Sequence, residues 1–209
     1  RSAIDAGVQL WKDTPMRSLI HEHGAIKGVV VERDGKLMEI RTRRGVVLAT
    51  GGFSANPDMR KQYIPFAEHH VSLVPEGNTG DGLQQARDAG GRFDGENLSN
   101  AGWVVVSLLR KPDGAIRKFP HLYMDRGKPG CIAVNRDGRR FGNEAATNLV
   151  EPMHRTGSVP AHLVCDHPFI KKYGLGLVRP GGFGLKGLIA AGYILTEPTL
   201  DALAARIGV

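Results

Sequence analysis

The sequence predicts an α/β fold, and three observations carry that prediction. Short alternating or apolar segments before residue 43, separated by glycine turns, read as a β-meander. The meander leads into Val46, Val47 and Leu48, which read as a buried strand, with the small residues Ala49, Thr50, Gly51 and Gly52 at its carboxyl end. Open α/β sheets place their ligands there, and two adjacent glycines remove the Cβ atoms that would hold a phosphate or a ribose off the backbone. Two helices with clear start signals follow, and after them the pattern turns to mixed short strands and helices.

Taken in order, residues 1 to 7 have no helix start signal and end in glycine, so they read as the tail of a helix already under way. Val8 to Trp11, Met16 to Ile20, Gly28 to Glu32 and Leu37 to Thr42 are the meander strands, with turns at His23-Gly24 and Asp34-Gly35. Asn56-Pro57 is an N-cap and first-turn pair that opens a helix to about Tyr63. A loop over residues 75 to 80 delivers Asp81 to a second helix, Gly82 to Ala89, which Gly90-Gly91 stops. From Phe93 to about Met124 the pattern is β-like and irregular, with the apolar run Trp103 to Leu109 and a turn at Lys111 to Gly114. Cys131 to Val134 and Arg139 to Phe141 flank the turn at Asn135 to Gly138 and are expected to pair as a hairpin, followed by a helix from about Ala145 to Arg155. Ala161 to Cys165 reads as a strand, Pro168 to Tyr173 as a short helix, and the glycine-rich residues 174 to 188 as an irregular loop. Thr199 caps a last helix with Leu200, Leu203, Ala204 and Ile207 on one face.

Composition narrows the functions available. With 209 residues, 41% hydrophobic and 23% charged, the chain can bury a real core in one large or two small domains. A net charge of +7 would suit an anionic partner, but the Lys and Arg residues are scattered and aromatics make up only 6%, so no nucleic-acid surface is expected. No apolar run approaches the roughly 20 residues of a membrane span, and the start is neither a signal peptide nor an initiator methionine, so the expected location is cytoplasmic. Cys131 and Cys165 lack metal-site spacing and are expected to be buried free thiols. The eight histidines show no H-E-x-x-H or mixed Cys/His spacing, so metal ligation is not expected. No Ser-His-Asp order or G-x-S-x-G elbow points to a hydrolase. A dinucleotide site needs strand, GxGxxG and helix in succession. Gly174 to Arg179 fails at the third glycine, and Gly182 to Gly187 has the spacing but neither the strand before it nor the acidic residue beyond.

Four motifs, Ala49 to Phe53, Asn56 to Met59, Thr79 to Leu83 and Val134 to Glu144, stand in the order A-T-G-G-F, N-x-x-M, T-G-D-G-L and V-N-x-x-G-x-R-F-x-N-E. In this they resemble the flavoprotein family of fumarate reductases, succinate dehydrogenases, L-aspartate oxidases and 3-ketosteroid Δ1-dehydrogenases. The resemblance covers essentially the whole chain and implies the middle of a longer FAD-dependent oxidoreductase that acts on CH-CH bonds, the isolated chain being inactive. It implies part of a Rossmann-like FAD-binding domain over residues 1 to 95, with β-meander and sheet strand, and part of an α+β capping domain over residues 96 to 209. The partners it implies are a small-molecule substrate and the remainder of the flavoprotein chain. By the same resemblance, Met16 makes a main-chain contact to adenine, Ala49, Thr50, Gly51 and Gly52 lie against FAD, and Asp81 bonds its sugar-phosphate chain.

Within the family, fumarate reductases carry a proton-donating arginine four residues after the glutamate of R-F-x-N-E, and ketosteroid dehydrogenases a tyrosine near the same place. Here that position is Asn148, whose amide can orient a substrate oxygen but cannot act as a general acid or base. His121 and Tyr123, just before Arg126-Gly127, are the remaining catalytic candidates. The segments Val159 to Tyr173 and Thr199 to Val209 are similar to the ketosteroid group. The alternatives are a redox-inactive binding or assembly module on the same scaffold, or a dicarboxylate enzyme like the fumarate reductases.

Overall fold

The structure is a computed structural model that describes residues 2–97 and 100–209. Arg1, the first residue of the predicted helix tail, and residues 98 and 99 of the predicted irregular stretch lie outside the described residues. The chain divides into two compact units, one of residues 1–67 and 74–100 and one of residues 68–73 and 101–209.

In the first unit a short helix α1 (Ser2–Asp5) precedes an antiparallel meander of β1 (Met16–Glu22), β2 (Ala25–Arg33) and β3 (Lys36–Arg41) in the order β1-β2-β3. Its two tight turns require left-handed backbone at both central positions, and His23-Gly24 and Asp34-Gly35 supply it with φ of 51° and 75° and of 52° and 72°. The expected strand at Val8 to Trp11 does not form. Among the described residues no segment pairs with it, and the Arg33 guanidinium instead lies 4.6 Å over the Trp11 ring.

Val46 to Leu48 also departs from expectation. Its backbone joins no ladder, none of the backbone groups of residues 43–52 has a backbone partner among the described residues, and Val47 is 91% exposed. A strand exists only through a neighbour that completes its hydrogen bonds, and none of the described segments provides one.

The two helices of this unit form where the local signals place them. Asn56 Oδ1 accepts from the N–H groups of Asp58 (3.0 Å) and Met59 (3.1 Å) at the start of α2 (Pro57–Tyr63). Helix α3 (Asp81–Asp88) ends at Gly90, with φ of 87°, where the Gly91 N–H returns to the Ala86 carbonyl.

The second unit holds two separate two-stranded ladders. β4 (Val105–Arg110) pairs with β5 (Ile116–His121) around the expected turn, and a short helix α4 (Tyr123–Arg126) follows directly. β6 (Cys131–Val134) pairs with β7 (His162–Cys165), not with residues 139–141, which retain a single bridge from Arg140 to Val134. The reason is burial. Cys131, Ala133 and Val134 are buried residues, and β7 runs through the same core as Phe169, Ile170, Leu175 and Val178, whereas Arg139 and Arg140 are exposed.

Helix α5 covers only Val150–Arg155, not the expected span from Ala145, because the carbonyls of residues 144, 146 and 147 bond Arg126 instead of helix N–H groups. Helix α6 (His167–Tyr173) is capped by Asp166, whose Oδ1 accepts from the Phe169 N–H at 2.8 Å. Within the stretch expected to be irregular, residues from 185 onward form α7 (Leu185–Ala190). Helix α8 (Leu200–Ile207) starts as expected at Thr199, whose Oγ1 accepts from the Ala202 N–H at 3.2 Å, but Leu200 is exposed and does not share the packed face of Leu203, Ala204 and Ile207. Among the described residues no helix is long and apolar enough to cross a membrane, and no group of three or more metal-binding side chains occurs.

Candidate functional site

The first unit places most of the residues expected to meet a cofactor along one unpaired backbone edge. A Cβ added at Gly51, whose φ is 81°, would meet the Asn78 side chain, while the Cβ direction of Gly52 is open. Gly82, buried at the second position of α3, lies so close to the Thr50 hydroxyl that a Cβ there would overlap it. The Ala49–Gly52 segment is therefore pressed against the start of α3. Asp81, the first residue of that helix, is exposed and accepts from the Thr79 hydroxyl at 2.8 Å. Backbone donors of the loop and the positive end of an eight-residue helix thus lie beside one another, a setting that favours phosphate and sugar oxygens. Met16 is the first residue of β1, opposite Val31, and the same strand is tied to α3 by a 3.3 Å bond from the Leu19 N–H to Gln85 Oε1.

The second unit gives the three catalytic candidates different surroundings. Tyr123 is 47% exposed on α4, Asn148 is exposed before α5 and accepts the Glu151 N–H at 3.1 Å, and His121 is buried at 3% exposure. The segment carrying Asn148 is held by Arg126, whose guanidinium is buried and donates to the backbone carbonyls of His121 (3.2 Å), Glu144, Ala146 (2.7 Å) and Thr147 (3.4 Å). Burial lowers the Arg126 pKa, with Glu144 and Asp125 acting in the opposite sense. Glu144, 5% exposed, takes two parallel bonds from Arg140, Nε to Oε1 at 2.8 Å and Nη2 to Oε2 at 2.5 Å, and accepts the Ala133 N–H at 2.9 Å. The Arg140 bonds hold its carboxyl far below the usual carboxylate range, at about 2.

Around His121 the structure assembles a chain of polar groups that the sequence reading missed. His121 Nδ1 lies 2.8 Å from Asp125 Oδ2, its Nε2 lies 2.7 Å from Ser107 Oγ, and Ser107 Oγ lies 2.5 Å from the Tyr193 hydroxyl, which accepts the Leu177 N–H at 3.3 Å. A Ser-His-Asp order is therefore present after all, in space and in chain order. The turn at Lys111 to Gly114 could have revealed part of it, since the hairpin register puts Val105 opposite His121 and Ser107 opposite Phe119, and Asp125 is four residues beyond His121. Nothing local marks Tyr193. Ser107, His121 and Tyr193 line a cavity of about 520 Å³ whose other walls mix apolar residues such as Leu108, Leu163, Ile170 and Ile194 with His162, Asp166, His167 and Thr196.

Two other groups bring histidines and cysteines together. His70 and His154 face each other through their Nε2 atoms at 3.2 Å, with His69 stacked on His154 and the Trp103 ring 5.5 Å from His70. Burial and then His69 push the His154 pKa down. Cys131 and Cys165 are cross-strand partners and free thiols, and burial raises them to about 12 and about 11. Thiolate is the reactive form, so both are expected to resist alkylation at pH 8 in the folded chain and to react once it is unfolded in guanidinium. Fast labelling of either in the native protein would contradict the packing of β6 on β7.

A glycine-rich backbone edge beside a helix start suits the phosphate and sugar oxygens of a nucleotide-containing group. The class is specific here: residues 1–189 match the FAD binding domain family, and the chain belongs to it. It is 36% identical to 4-oxocyclohex-2-ene-1-carboxylate 5-dehydrogenase of Sinomonas cyclohexanicum over 100% of this chain and 37% of that protein. It is 32% identical to 3-oxosteroid 1-dehydrogenase of Mycobacterium tuberculosis strain H37Rv over 97% of this chain and 38% of that one. Among solved structures it resembles 3-ketosteroid Δ1-dehydrogenase from Sterolibacterium denitrificans, in complex with 1,4-androstadiene-3,17-dione, with a TM-score of 0.79 and 36% identity over 100% of this chain and 38% of that one. The chain thus spans less than two fifths of the length of these relatives. FAD, the family's cofactor, fits the residues present, because the unpaired backbone of residues 43–52 and the open side of Gly52 leave donors and room beside Asp81.

Proposed function

We propose that the complete protein is an FAD-dependent dehydrogenase that removes hydrogen from adjacent ring carbons of a cyclic ketone. In this reading residues 1–95 are part of a Rossmann-like FAD-binding domain and residues 96–209 part of an α+β cap over the substrate. One observation carries it: 36% identity along the whole chain to two dehydrogenases whose names specify a ring ketone, one a cyclohexene carboxylate and the other a steroid. The bound flavin would supply the hydride acceptor. This chain's Ala49–Gly52 backbone and Asp81 would hold the sugar-phosphate chain, and the Met16 main chain would meet adenine. Asn148 would orient a substrate oxygen without moving a proton, and Tyr123, exposed on the helix after β5, would line the same substrate. Fumarate reduction is not expected, because no arginine stands at position 148.

The test is anaerobic reduction of the flavin in the full-length protein by 4-oxocyclohex-2-ene-1-carboxylate and by 3-ketosteroids, with fumarate turnover measured beside it. Reduction by at least one ketone and negligible fumarate turnover are expected. In that protein Asp81→Ala should lower FAD content first, whereas Asn148→Ala should lower turnover with FAD content intact. Turnover within about twofold of wild type for Asn148→Ala, under roughly half a kcal/mol of barrier, would remove Asn148 from the substrate site.

A further inference from the structure

We propose that His69, His70 and His154 form a proton-sensitive clasp, which holds residues 68–73 against α5 at neutral pH and lets them go as the pH falls through the titration range of histidine. The clasp uses none of the residues assigned above to cofactor or substrate.

Residues 68–73 belong to the second unit, although the stretches before and after them, 1–67 and 74–100, belong to the first. They form a strap with little regular structure, a single 3-10 turn at Ala67–His69 and no ladder partner among the described residues. A segment of that kind opens more readily than a packed strand or helix, so the contacts of its side chains decide whether it stays in place.

Those contacts centre on imidazoles. His70 and His154 meet through their Nε2 atoms at 3.2 Å, and the His69 ring stacks on His154 with centroids 5.7 Å apart and planes 25° from parallel. The Trp103 ring closes the cluster at 5.5 Å from His70 and 6.3 Å from His154. Further along the strap, Lys118 on β5 donates to the Ser72 carbonyl at 2.6 Å.

Counting protons shows why the cluster responds to pH. An Nε2 to Nε2 hydrogen bond needs one N–H and one lone pair, so it survives only while at least one of His70 and His154 is neutral. A second proton turns the bond into two donors facing each other at 3.2 Å, with His69 stacked on one of them. Of the charged side chains nearby, Glu68 opposes this, its Oε1 lying 3.6 Å from His69 Nε2, but it is 68% exposed and so screened by water. Lys118 on β5 adds positive charge on the strap, and Arg155, next to His154, is paired with Glu151 on the same helix at 3.3 Å.

The sign follows from His154. It stands in the last turn of α5, where the helix dipole favours a charged ring, yet burial and then His69 push its pKa below the ordinary 6.5, with Glu68 acting in the opposite sense. The attached strap therefore binds protons less readily than the detached one. Attachment is complete above pH 6.5 and weakens as the pH falls below it.

The experiment is hydrogen–deuterium exchange of the full-length protein, read by mass spectrometry at pH 7.5 and 5.5 with each rate corrected for the intrinsic effect of pH. Protection of the amides of residues 69–73 should fall by about tenfold or more at pH 5.5, the effect of a one-unit difference in the affinity for a single proton. It should return at pH 7.5, while the β4–β5 hairpin stays protected throughout. Glutamine places an amide near the position of Nε2 and can donate or accept, so His70→Gln keeps a bond to His154 in either protonation state. That variant, and likewise His154→Gln, should be protected at pH 7.5 and lose less than threefold at pH 5.5. Glu68→Gln removes the opposing carboxylate and should move the loss to higher pH. Wild-type protection within threefold at the two pH values, a loss at pH 5.5 as large in both glutamine variants as in wild type, an unprotected strap at pH 7.5 in both of them, or a loss that spreads equally over the β4–β5 hairpin would each overturn the proposal.

Discussion

Arg126→Met is expected to destabilise the second unit by about 3 kcal/mol and to lower its melting temperature by about 10 °C. The guanidinium is 2% exposed and bonds only carbonyl oxygens, those of His121, Glu144, Ala146 and Thr147. Each buried acceptor stripped of its donor costs roughly 1–3 kcal/mol, and water can return part of that at the more exposed Ala146 and Thr147 carbonyls. Methionine fills the volume and supplies no donor, so the loss isolates the hydrogen bonds from a cavity effect. Arg126→Lys, which keeps the charge and some of the donors, should recover a fraction. The change also reaches the candidate site, since the carbonyls of Glu144, Ala146 and Thr147 fix the segment that presents Asn148. Thermal unfolding followed by circular dichroism is the measurement, and a shift of under about 2 °C would mean that the carbonyls find other partners.

Glu144→Gln should cost about 2 kcal/mol at pH 7 and almost nothing near pH 2. The Glu144 carboxyl is lowered from 4.5 to about 2 by the Arg140 bonds and, less strongly, by the Ala133 N–H, while burial opposes the shift. A folded pKa below the unfolded value means that the unfolded chain binds the proton first. The stabilisation is therefore complete above pH 4.5 and is lost as the pH falls from 4.5 toward about 2. The full shift would correspond to about 3 kcal/mol, and the smaller figure allows for screening at Arg140, whose side chain is 55% exposed. Glutamine still accepts from Ala133, so the variant removes the charge and keeps the backbone bond. Urea unfolding of wild type and Glu144→Gln at pH 7, 5 and 3 would reveal the dependence, and a difference that does not change with pH would refute the charge argument.

What was legible in the sequence is what forms between near neighbours. Asn56 and Thr199 each satisfy backbone N–H groups within three residues of themselves, and a turn such as Asp34-Gly35 needs only its own left-handed backbone. The family was equally open to reading, because A-T-G-G-F and T-G-D-G-L are short segments whose small residues carry the signal, and residues 1–189 match it. The partner of β6 was not legible. An adjacent segment across a good turn was available, and the chain uses β7 instead, a pairing that leaves Ala133 and Val134 buried and puts Cys131 in the core with Phe169 and Ile170. The early start given to α5 failed for a related reason, since Arg126 takes the carbonyls that a helix from Ala145 would have used.

The polar path from Asp125 to Tyr193 belongs wholly to the tertiary structure. His121 and Asp125 are four residues apart, but Ser107 arrives through the register of a hairpin and Tyr193 from 72 residues beyond His121, read from their positions in the chain. By itself the sequence determined the caps, the tight turns, the glycine-lined backbone edge and the family, because each depends on the conformational preferences of a few consecutive residues. Only the tertiary structure decided which strands pair, which carbonyls Arg126 satisfies and which hydroxyl meets His121, because burial and hydrogen-bond completion are settled between segments that no local pattern brings together.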